Sequence, residues 1–358
     1  MEAQENQVPK MNPLSISERS IPIDLLISVF SRLPVKSIGR CRCVSKQWSY
    51  ILRRRDFTDL YLKTSSTRPC LLFNLKVNGK CLFLSAPQDQ ISSSVLVADR
   101  RMSFPTEDAS CGVSRPVCGL VCSLDMNPSI CNTSTGQCIT LPKMKIASGG
   151  GTVNVYFGYE PVRKLFKVLR KSKDDYRVMT LGRGELSWRI VESSVAHSSL
   201  SNGICINGFM YYIAVRNDPR CLKPIMLVCF DMSLEKFTFL DVDIMLWRST
   251  LIDVKDDMEN EKWSKHVYKL PSSWKNLVGK HKEMNVVGMS GAGDIVFAPE
   301  YLDNDPFFIV YYNVVKNTVG KAEVQLGVVV RDADDLMKVQ TFMDHVEDVK
   351  LMEVLGSS

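Results

Sequence analysis

The chain has 358 residues, of which 45% are hydrophobic and 23% are charged, with a formal net charge of +6. This composition predicts a folded protein of one large domain plus a small module, or of two medium domains, and it excludes a wholly disordered chain. The first 20 residues are polar and lack the apolar core of a signal peptide. No run approaches the roughly 20 apolar residues of a membrane helix. We therefore expect a cytosolic or nuclear protein that does not associate with membranes.

The positive charge is concentrated near the N-terminus. Residues 18–63 contain ten Lys and Arg and four Asp and Glu, which accounts for the whole net charge. A basic module on a neutral body suits an acidic protein partner, and it also suits nucleic acid. Charge alone leaves both alternatives open.

Residues that could carry chemistry are scattered. The twelve cysteines do not repeat at zinc-ligand spacing, and in a reducing compartment we expect them to be free thiols that pack as small apolar residues. The four histidines have no cysteine or carboxylate partner at a motif spacing. No phosphate-binding glycine loop or nucleophile elbow is present. The sequence therefore predicts neither a metal, nor a cofactor, nor a catalytic group.

Residues 1–17 are predicted to form a disordered polar tail, and residues 18–63 three short helices. The first helix begins at Pro22 and ends before Pro34, because proline suits a first helical turn and disfavours helical geometry in the residue before it. Leu25 and Val29 mark one apolar face of this helix. A second face, at spacings of three and four, is formed by Ile23, Leu26, Ile27, Phe30 and Leu33.

Two more helices follow. The second carries Val35, Ile38 and Cys41, and the third is capped by Ser45. The apolar stripe of the third helix is Val44, Trp48, Ile51 and Leu52, and Leu60 to Leu62 continue or finish it. Three helices of this size bury little surface, so we expect part of their apolar surface to meet another chain or the next domain.

Three motifs give this module a specific resemblance. Residues 21–26 read IPIDLL, residues 32–37 read RLPVKS, and residues 42–48 read RCVSKQW. In this order they resemble an F-box of the plant type. The resemblance implies docking onto a Skp-type adaptor and, through it, onto the cullin and RING subunits of a ubiquitin ligase. The adaptor-facing residues that it implies are Pro22, Leu25, Leu26, Leu33, Pro34, Val35, Lys36, Ser37, Val44 and Trp48.

A turn-rich hinge is predicted at residues 64–69, and an all-β domain at residues 70–352. Short apolar runs recur there at roughly ten-residue spacing. Asn78-Gly79 and Asn207-Gly208 predict two tight hairpins, because both positions of such a turn need positive φ.

A repeat predicts a β-propeller. Strands end in Asn132, Asp231 and Asn313, and more loosely in Glu160, and each is followed about five residues later by another strand. We interpret these side chains as turn formers, not catalysts. Two hairpins per 40 to 45 residues match the size of a propeller blade. The predicted blades lie near 70–105, 117–142, 153–192, 203–242 and 284–326, with a closing strand within 339–351.

The β-domain has a resemblance of its own. Segments such as FGYEPVRKLFKVL (157–169), VCFDMSLEKFTFL (228–240) and EKWSKHVYKLPSSW (261–274) are similar to the F-box-associated domain of plant F-box proteins, over most of residues 70–352. The stretch from Trp247 to Asp257 is shorter than in that family. Residues 243–283 therefore predict one hairpin and a shortened blade, which leaves ring closure open.

The expected fold class is thus α+β multidomain, with a three-helix F-box followed by a propeller-like domain. The function that the resemblance implies is a non-catalytic substrate-recognition subunit of an SCF-type ubiquitin ligase with an unknown target protein. The alternative is a stand-alone propeller, binding nucleic acid or acting as an enzyme, with the helices as an oligomerisation arm. Nucleic acid is the less expected partner, because the positive charge is confined to the helices and no base-stacking motif accompanies it.

Overall fold

The computed structural model describes most of the chain between residues 21 and 352, and the predicted tail (1–17) lies outside the described residues. The described residues are 21–89, 95–105, 112–125, 127–143, 153–172, 175–182, 186–218, 220–221, 224–243, 251, 266, 268–279, 283–302, 306–328 and 337–352.

Four helices form the N-terminal module, one more than the sequence predicts. They are α1 (Ile23–Phe30), α2 (Val35–Arg42), α3 (Lys46–Ile51) and α4 (Arg55–Ser65). The predicted third helix ends early because Arg54 adopts an extended conformation (φ −62°, ψ 143°). Asp56 lies in the first turn of α4, where its carboxylate pairs with Arg54 and accepts a hydrogen bond from the backbone N–H of Phe57. Ser45 caps α3 as predicted, accepting from the backbone N–H of Trp48 at 3.1 Å.

The rest of the described chain contains 22 strands and one short helix, α5 (Trp274–Val278). In chain order the strands are β1 (Cys70–Val77), β2 (Lys80–Pro87), β3 (Val95–Val97), β4 (Asp99–Pro105), β5 (Leu120–Cys122), β6 (Ser129–Asn132), β7 (Gln137–Thr140), β8 (Val153–Glu160), β9 (Leu165–Ser172), β10 (Asp175–Leu181), β11 (Arg189–Ile190), β12 (His197–Ser199), β13 (Ile204–Ile206), β14 (Phe209–Arg216), β15 (Ile225–Asp231), β16 (Lys236–Asp241), β17 (Met284–Met289), β18 (Asp294–Pro299), β19 (Tyr301–Leu302), β20 (Phe308–Asn313), β21 (Thr318–Gln325) and β22 (Met337–His345).

These strands form five sheets in a five-bladed propeller arrangement, and each sheet falls on a predicted blade. Sheet 1 has the order β19-β22-β1-β2-β4, sheet 2 is β5-β6-β7, and sheet 3 is β11-β10-β9-β8. Sheet 4 is β12-β14-β15-β16 with β13 also on β14, and sheet 5 is β17-β18-β20-β21-β3. The predicted closing strand is confirmed: β22 pairs antiparallel with β1. Two further exchanges were not predicted. Strand β3, from the first blade's stretch of sequence, joins sheet 5 parallel to β21, and β19, from the fifth blade's stretch, joins sheet 1 by pairing with β22.

Apolar clusters fill four of the seams between neighbouring sheets. Sheets 1 and 2, 2 and 3, 3 and 4, and 5 and 1 each share a buried cluster with side chains from both members. At sheet 5, α5 instead packs Trp274 and Val278 against Phe308 and Val310. This helix lies within residues 243–283, where the sequence predicts a hairpin. The helix was missed, and most of the predicted hairpin falls outside the described residues.

The turns form as the sequence predicts. Asn78 and Gly79 both have positive φ (49° and 72°), as do Asn207 and Gly208. The Oδ1 atom of Asn132 accepts hydrogen bonds from the backbone N–H groups of Ser134 and Thr135. Asp231, Asn313 and Glu160 bond to backbone N–H groups two or three residues ahead in the same way. These side chains are turn formers.

Three described cysteines depart from the expectation of free thiols: Cys81 is disulfide-bonded, and so are Cys131 and Cys138. Cys131 in β6 and Cys138 in β7 lie directly opposite one another and are joined by a disulfide, with a Cα–Cα distance of 4.1 Å. Their facing register brings the two sulfur atoms together across the hairpin.

We predict that Gly119→Ala destabilises the protein by about 2–4 kcal/mol. Gly119 has φ +82°, and a Cβ there would lie 2.6 Å from Cβ of Asp348 and 3.0 Å from the carbonyl oxygen of Val346. The substitution combines a left-handed backbone cost of about 1–2 kcal/mol with overpacking. Urea unfolding measures the loss. Gly136→Ala is the matched control, since Gly136 has φ +76° and no atom within 4 Å of such a Cβ, and should cost only about 1 kcal/mol. Equal losses in the two variants would contradict the close packing at Gly119.

Candidate functional site

The helical module exposes an apolar stripe on α1. Ile21, Leu25 and Val29, hereafter the α1 stripe, are 56%, 58% and 57% exposed. Leu25 and Val29 are four residues apart and therefore lie on one side of the helix, and Ile21 immediately precedes the helix. On the other side, Leu26 and Phe30 are buried in the module's core. Exposed apolar side chains grouped in this way indicate an interaction surface.

The exposed surface continues at the helix connections. Pro34 and Lys36 are exposed where α2 begins, and Val44 is 64% exposed before α3. Tyr50 at the end of α3 is 70% exposed. The module thus presents apolar side chains with basic ones between them.

The structure divides the ten predicted adaptor-facing residues into three groups. Leu26 and Val35 are core residues that support the surface from beneath. Leu33, Ser37 and Trp48 are half-buried, and the Trp48 ring packs edge-on against Phe30 with centroids 4.9 Å apart. The exposed members are Pro22, Leu25, Pro34, Lys36 and Val44. Contact of any of the ten with a partner stays a prediction.

Sequence reasoning omitted several exposed residues from the candidate set. Ile21, Ile23, Val29 and Tyr50 are all more than 40% exposed. Leu25 and Val29 do signal a second apolar face through their four-residue spacing. The spacing groups Ile23 with the face of Leu26 and Phe30, and Tyr50 carries no spacing signal. Their exposure could not be predicted, because which side of a short helix faces its neighbours depends on the tertiary packing.

The module is joined to the propeller through residues 346–352, hereafter the C-terminal segment. Val349 is 1% exposed and belongs to the apolar core of the helices. The Arg42 guanidinium in α2 donates to the carbonyl oxygens of Leu52 (2.9 Å) and Val349 (2.5 Å). The segment therefore completes both the core and the hydrogen bonding of the module.

A second set of contacts surrounds Glu347. Its backbone N–H donates to Oγ of Ser65 (2.8 Å), and its carboxylate accepts from the Tyr61 hydroxyl (3.4 Å) and pairs with Arg101 at 2.7 Å. The Tyr61 hydroxyl also donates to the carbonyl oxygen of Leu33. Burial and the Glu347 carboxylate raise the pKa of Tyr61, so its hydroxyl stays a donor at neutral pH. The first two residues of the predicted hinge (64–69) thus belong to α4, and Ser65 is buried and hydrogen-bonded.

Two buried titratable groups lie in the same junction. Burial raises the pKa of Asp348 to about 6, against a smaller lowering by the backbone N–H of Lys350. Burial, together with the charge of Arg101, lowers the pKa of His345 to about 3, so that its imidazole is neutral and bonds through Nε2 to the Thr133 hydroxyl at 3.0 Å.

The described residues give no sign of metal chemistry or of a membrane span. Within them, no group of three or more His, Cys, Asp or Glu side chains is placed to hold a metal ion. No helix in the described part of the chain is long and apolar enough to cross a membrane.

Comparison with known protein families gives a match for the helical module and another for the propeller. Residues 19–60 match the F-box domain, and residues 70–255 and 250–346 match the F-box associated beta propeller domain. The chain belongs to the F-box proteins with an F-box associated propeller. The two propeller matches meet at residues 250–255, within the stretch that the sequence predicts to be shortened.

Relatives in Arabidopsis thaliana match along most of their length. F-box protein DOR is 39% identical over 376 residues, which cover 93% of this chain and 94% of DOR. F-box protein At3g47030 is 38% identical over 98% of this chain and 94% of its own. Among solved structures, apo AztD from Citrobacter koseri aligns over 79% of this chain and 100% of its own, at 8% identity and a TM-score of 0.30.

We predict that Arg42→Gln destabilises the full chain by about 2 kcal/mol, because hydrogen bonds from a charged group contribute about 1.5–3 kcal/mol and two carbonyl groups lose their donor. Chemical denaturation measures this loss. Arg40→Gln is the matched control: Arg40 is exposed on the same helix, and its substitution should change stability by less than about 0.5 kcal/mol. Indistinguishable midpoints for the two variants would refute the anchoring role of Arg42.

We also predict that Asp348→Asn changes how stability depends on pH. A carboxyl whose pKa is raised in the folded state contributes stability that is present below its unfolded pKa of 3.8 and lost as pH rises through 6. The wild type should therefore lose stability relative to the variant by up to about 3 kcal/mol between pH 4 and 7, at 1.36 kcal/mol per pKa unit.

Unfolding free energies of both proteins across pH 4 to 8 test this prediction. The difference between the two unfolding free energies reports Asp348 alone, because His345 is present in both proteins. The lowered pKa of His345 has the opposite effect, since it reduces stability as pH falls below 6.5. A difference that does not vary with pH would show that Asp348 is not held in a desolvated site.

Proposed function

We propose that this F-box protein is the substrate-recognition subunit of an SCF-type ubiquitin ligase. Its helical module binds a Skp-type adaptor, and its propeller binds a target protein. The observation that carries the proposal is the α1 stripe: three apolar side chains, each more than half exposed, in the region that matches the F-box domain.

The chemistry of the helical surface supports a protein partner. Apolar side chains at the centre of an interface supply most of the affinity, at about 25 cal/mol per Å² buried. Lys36, Arg40 and Lys46 lie exposed between the apolar residues, and they suit an acidic partner surface that guides encounter and register. The match to the F-box domain favours adaptor binding over the alternative, in which the helices are an oligomerisation arm.

The propeller topology places the helices at one end of the propeller and leaves the opposite end available for the target protein. The helices lie at one end of the propeller: α4 ends five residues before β1 begins, and Lys164, in the β8–β9 turn, pairs with Asp59 of α4 at 3.0 Å. Because β1 starts at that end, the turn that follows β1 emerges at the opposite end. We propose that the target binds at the opposite end, which carries the Asn78-Gly79 turn.

No catalytic group is needed in this chain. A ligase subunit that holds a target lysine near activated ubiquitin contributes effective concentration, and the chemistry belongs to other subunits. We accordingly propose that the protein is not itself an enzyme, and that it acts in the cytosol or the nucleus.

We predict that Leu25→Asp lowers affinity for a Skp-type adaptor by about 30-fold or more, since loss of a central interface residue costs about 2 kcal/mol or more. Val44→Asp should act in the same direction. Calorimetry or surface plasmon resonance with purified full chain and adaptor measures the effect. Because both side chains are mainly exposed, the unfolding midpoints should stay close to that of the wild type.

Val315→Asp is the matched control: Val315 is 95% exposed in the β20–β21 turn of the propeller, and its substitution should leave adaptor affinity unchanged. Adaptor affinity that survives both Leu25→Asp and Val44→Asp would overturn the proposal. Retention of RNA or DNA that falls steeply with salt would favour the nucleic-acid alternative instead.

A further inference from the structure

The disulfide between Cys131 and Cys138 closes a small loop that is hydrogen-bonded to the C-terminal segment. The loop residues between the two cysteines, 132–137, include four that bond to the chain's C-terminal part. The Asn132 amide donates to the carbonyl oxygens of Asp348 and Lys350, both at 3.0 Å. Hydrogen bonds of Thr133, Ser134 and Gln137 also join the loop to the chain's C-terminal part.

These three further bonds complete the attachment. The Ser134 hydroxyl accepts from the backbone N–H of Asp348 at 3.1 Å, and Gln137 Oε1 accepts from that of Met352 at 3.0 Å. Thr133 is bonded to His345. The loop therefore holds the segment on which the helical module packs.

The two cysteines differ in accessibility. Cys131 is 1% exposed within the apolar cluster between sheets 1 and 2, whereas Cys138 is exposed on β7, the outer strand of sheet 2. Cys138 is therefore the more accessible of the two residues to a soluble thiol or disulfide. This asymmetry suits thiol–disulfide exchange, in which one sulfur is attacked first and the second resolves the intermediate.

We propose that Cys131 and Cys138 form a reversible redox modification site that sets how firmly the loop 132–137 holds the C-terminal segment. The co-reactant is a low-molecular-weight disulfide of the glutathione class. The Cys138 thiolate attacks one of its sulfur atoms and expels one thiolate, and the Cys131 thiolate then attacks the Cys138 sulfur and expels the second. Two protein thiols and one external disulfide become one protein disulfide and two external thiols. The inference does not depend on the proposed function.

Oxidation and reduction should change the dynamics of the attachment. With the disulfide formed, the two ends of the hairpin loop are covalently fixed, which restricts the loop's conformations. With two thiols, only backbone pairing holds the ends together. The hydrogen bonds from the loop to Asp348 and Met352 should then open more often.

The first test follows the site itself. The full chain is equilibrated in buffers of graded oxidised-to-reduced glutathione ratio, free thiols are alkylated, and mass spectrometry with fragmentation locates the label. We expect Cys131 and Cys138 to lose the label together as the buffer becomes oxidising. Full labelling of both at every ratio would overturn the proposal, and so would glutathione attached to Cys138 without closure onto Cys131.

The second test follows the consequence, by hydrogen exchange at the amides of Asp348 and Met352. Reduction of the wild type should speed exchange by about fivefold, the change that the free energy of one hydrogen bond makes in an opening equilibrium. Cys138→Ser, at an exposed position, should exchange at the fast rate in both buffers. Cys43→Ser, at an exposed cysteine with a free thiol, is the matched control and should respond as the wild type does. Equal exchange rates of these two amides in oxidising and reducing buffer, measured in the wild type, would overturn the proposed consequence.

Discussion

The arrangement of this protein depends on residues 346–352, the C-terminal segment that joins the helices to the propeller. Residues 346–352 follow β22, the strand that closes the propeller, and lie between it and the helices. Val349 fills the helical core, Arg42 donates to its carbonyl group, and Asn132 donates to two other carbonyls of the segment. Neither part is complete without this segment, because it supplies an apolar side chain to one and backbone partners to both.

Attachment through residues 346–352 determines which side of the helices stays exposed. Four helices in about 45 residues bury too little surface to be stable by themselves, and they gain stability by packing against the propeller. Because the inner side is fixed in this way, the apolar residues of the other side remain exposed, among them Leu25 and Val44. A receptor needs such an arrangement: one surface is free for the adaptor, while the propeller's far end keeps a fixed orientation in which to present a target.

Local chemistry explains which features could be predicted from the sequence. Asn78-Gly79, Asn132 and Asp231 act within a few residues of themselves, so the hairpins and most blade bounds follow from the sequence. Pairings between distant residues leave no local trace: β3 joins β21 more than 200 residues away. Cys131 and Cys138 are only seven residues apart, but the register that places them opposite one another appears only once both strands are placed. The motifs likewise located the helical surface, but Leu26 and Val35 proved to lie in the core, since packing decides which face of a short helix is exposed.

Hydrogen exchange of the full chain with and without a purified Skp-type adaptor tests most directly whether the exposed helical surface binds that adaptor. If it does, the adaptor should slow exchange in α1 and in the connections to α2 and α3, and leave the propeller amides at the far end unchanged. Protection confined to the propeller, or no protection anywhere at saturating adaptor, would contradict binding at this surface.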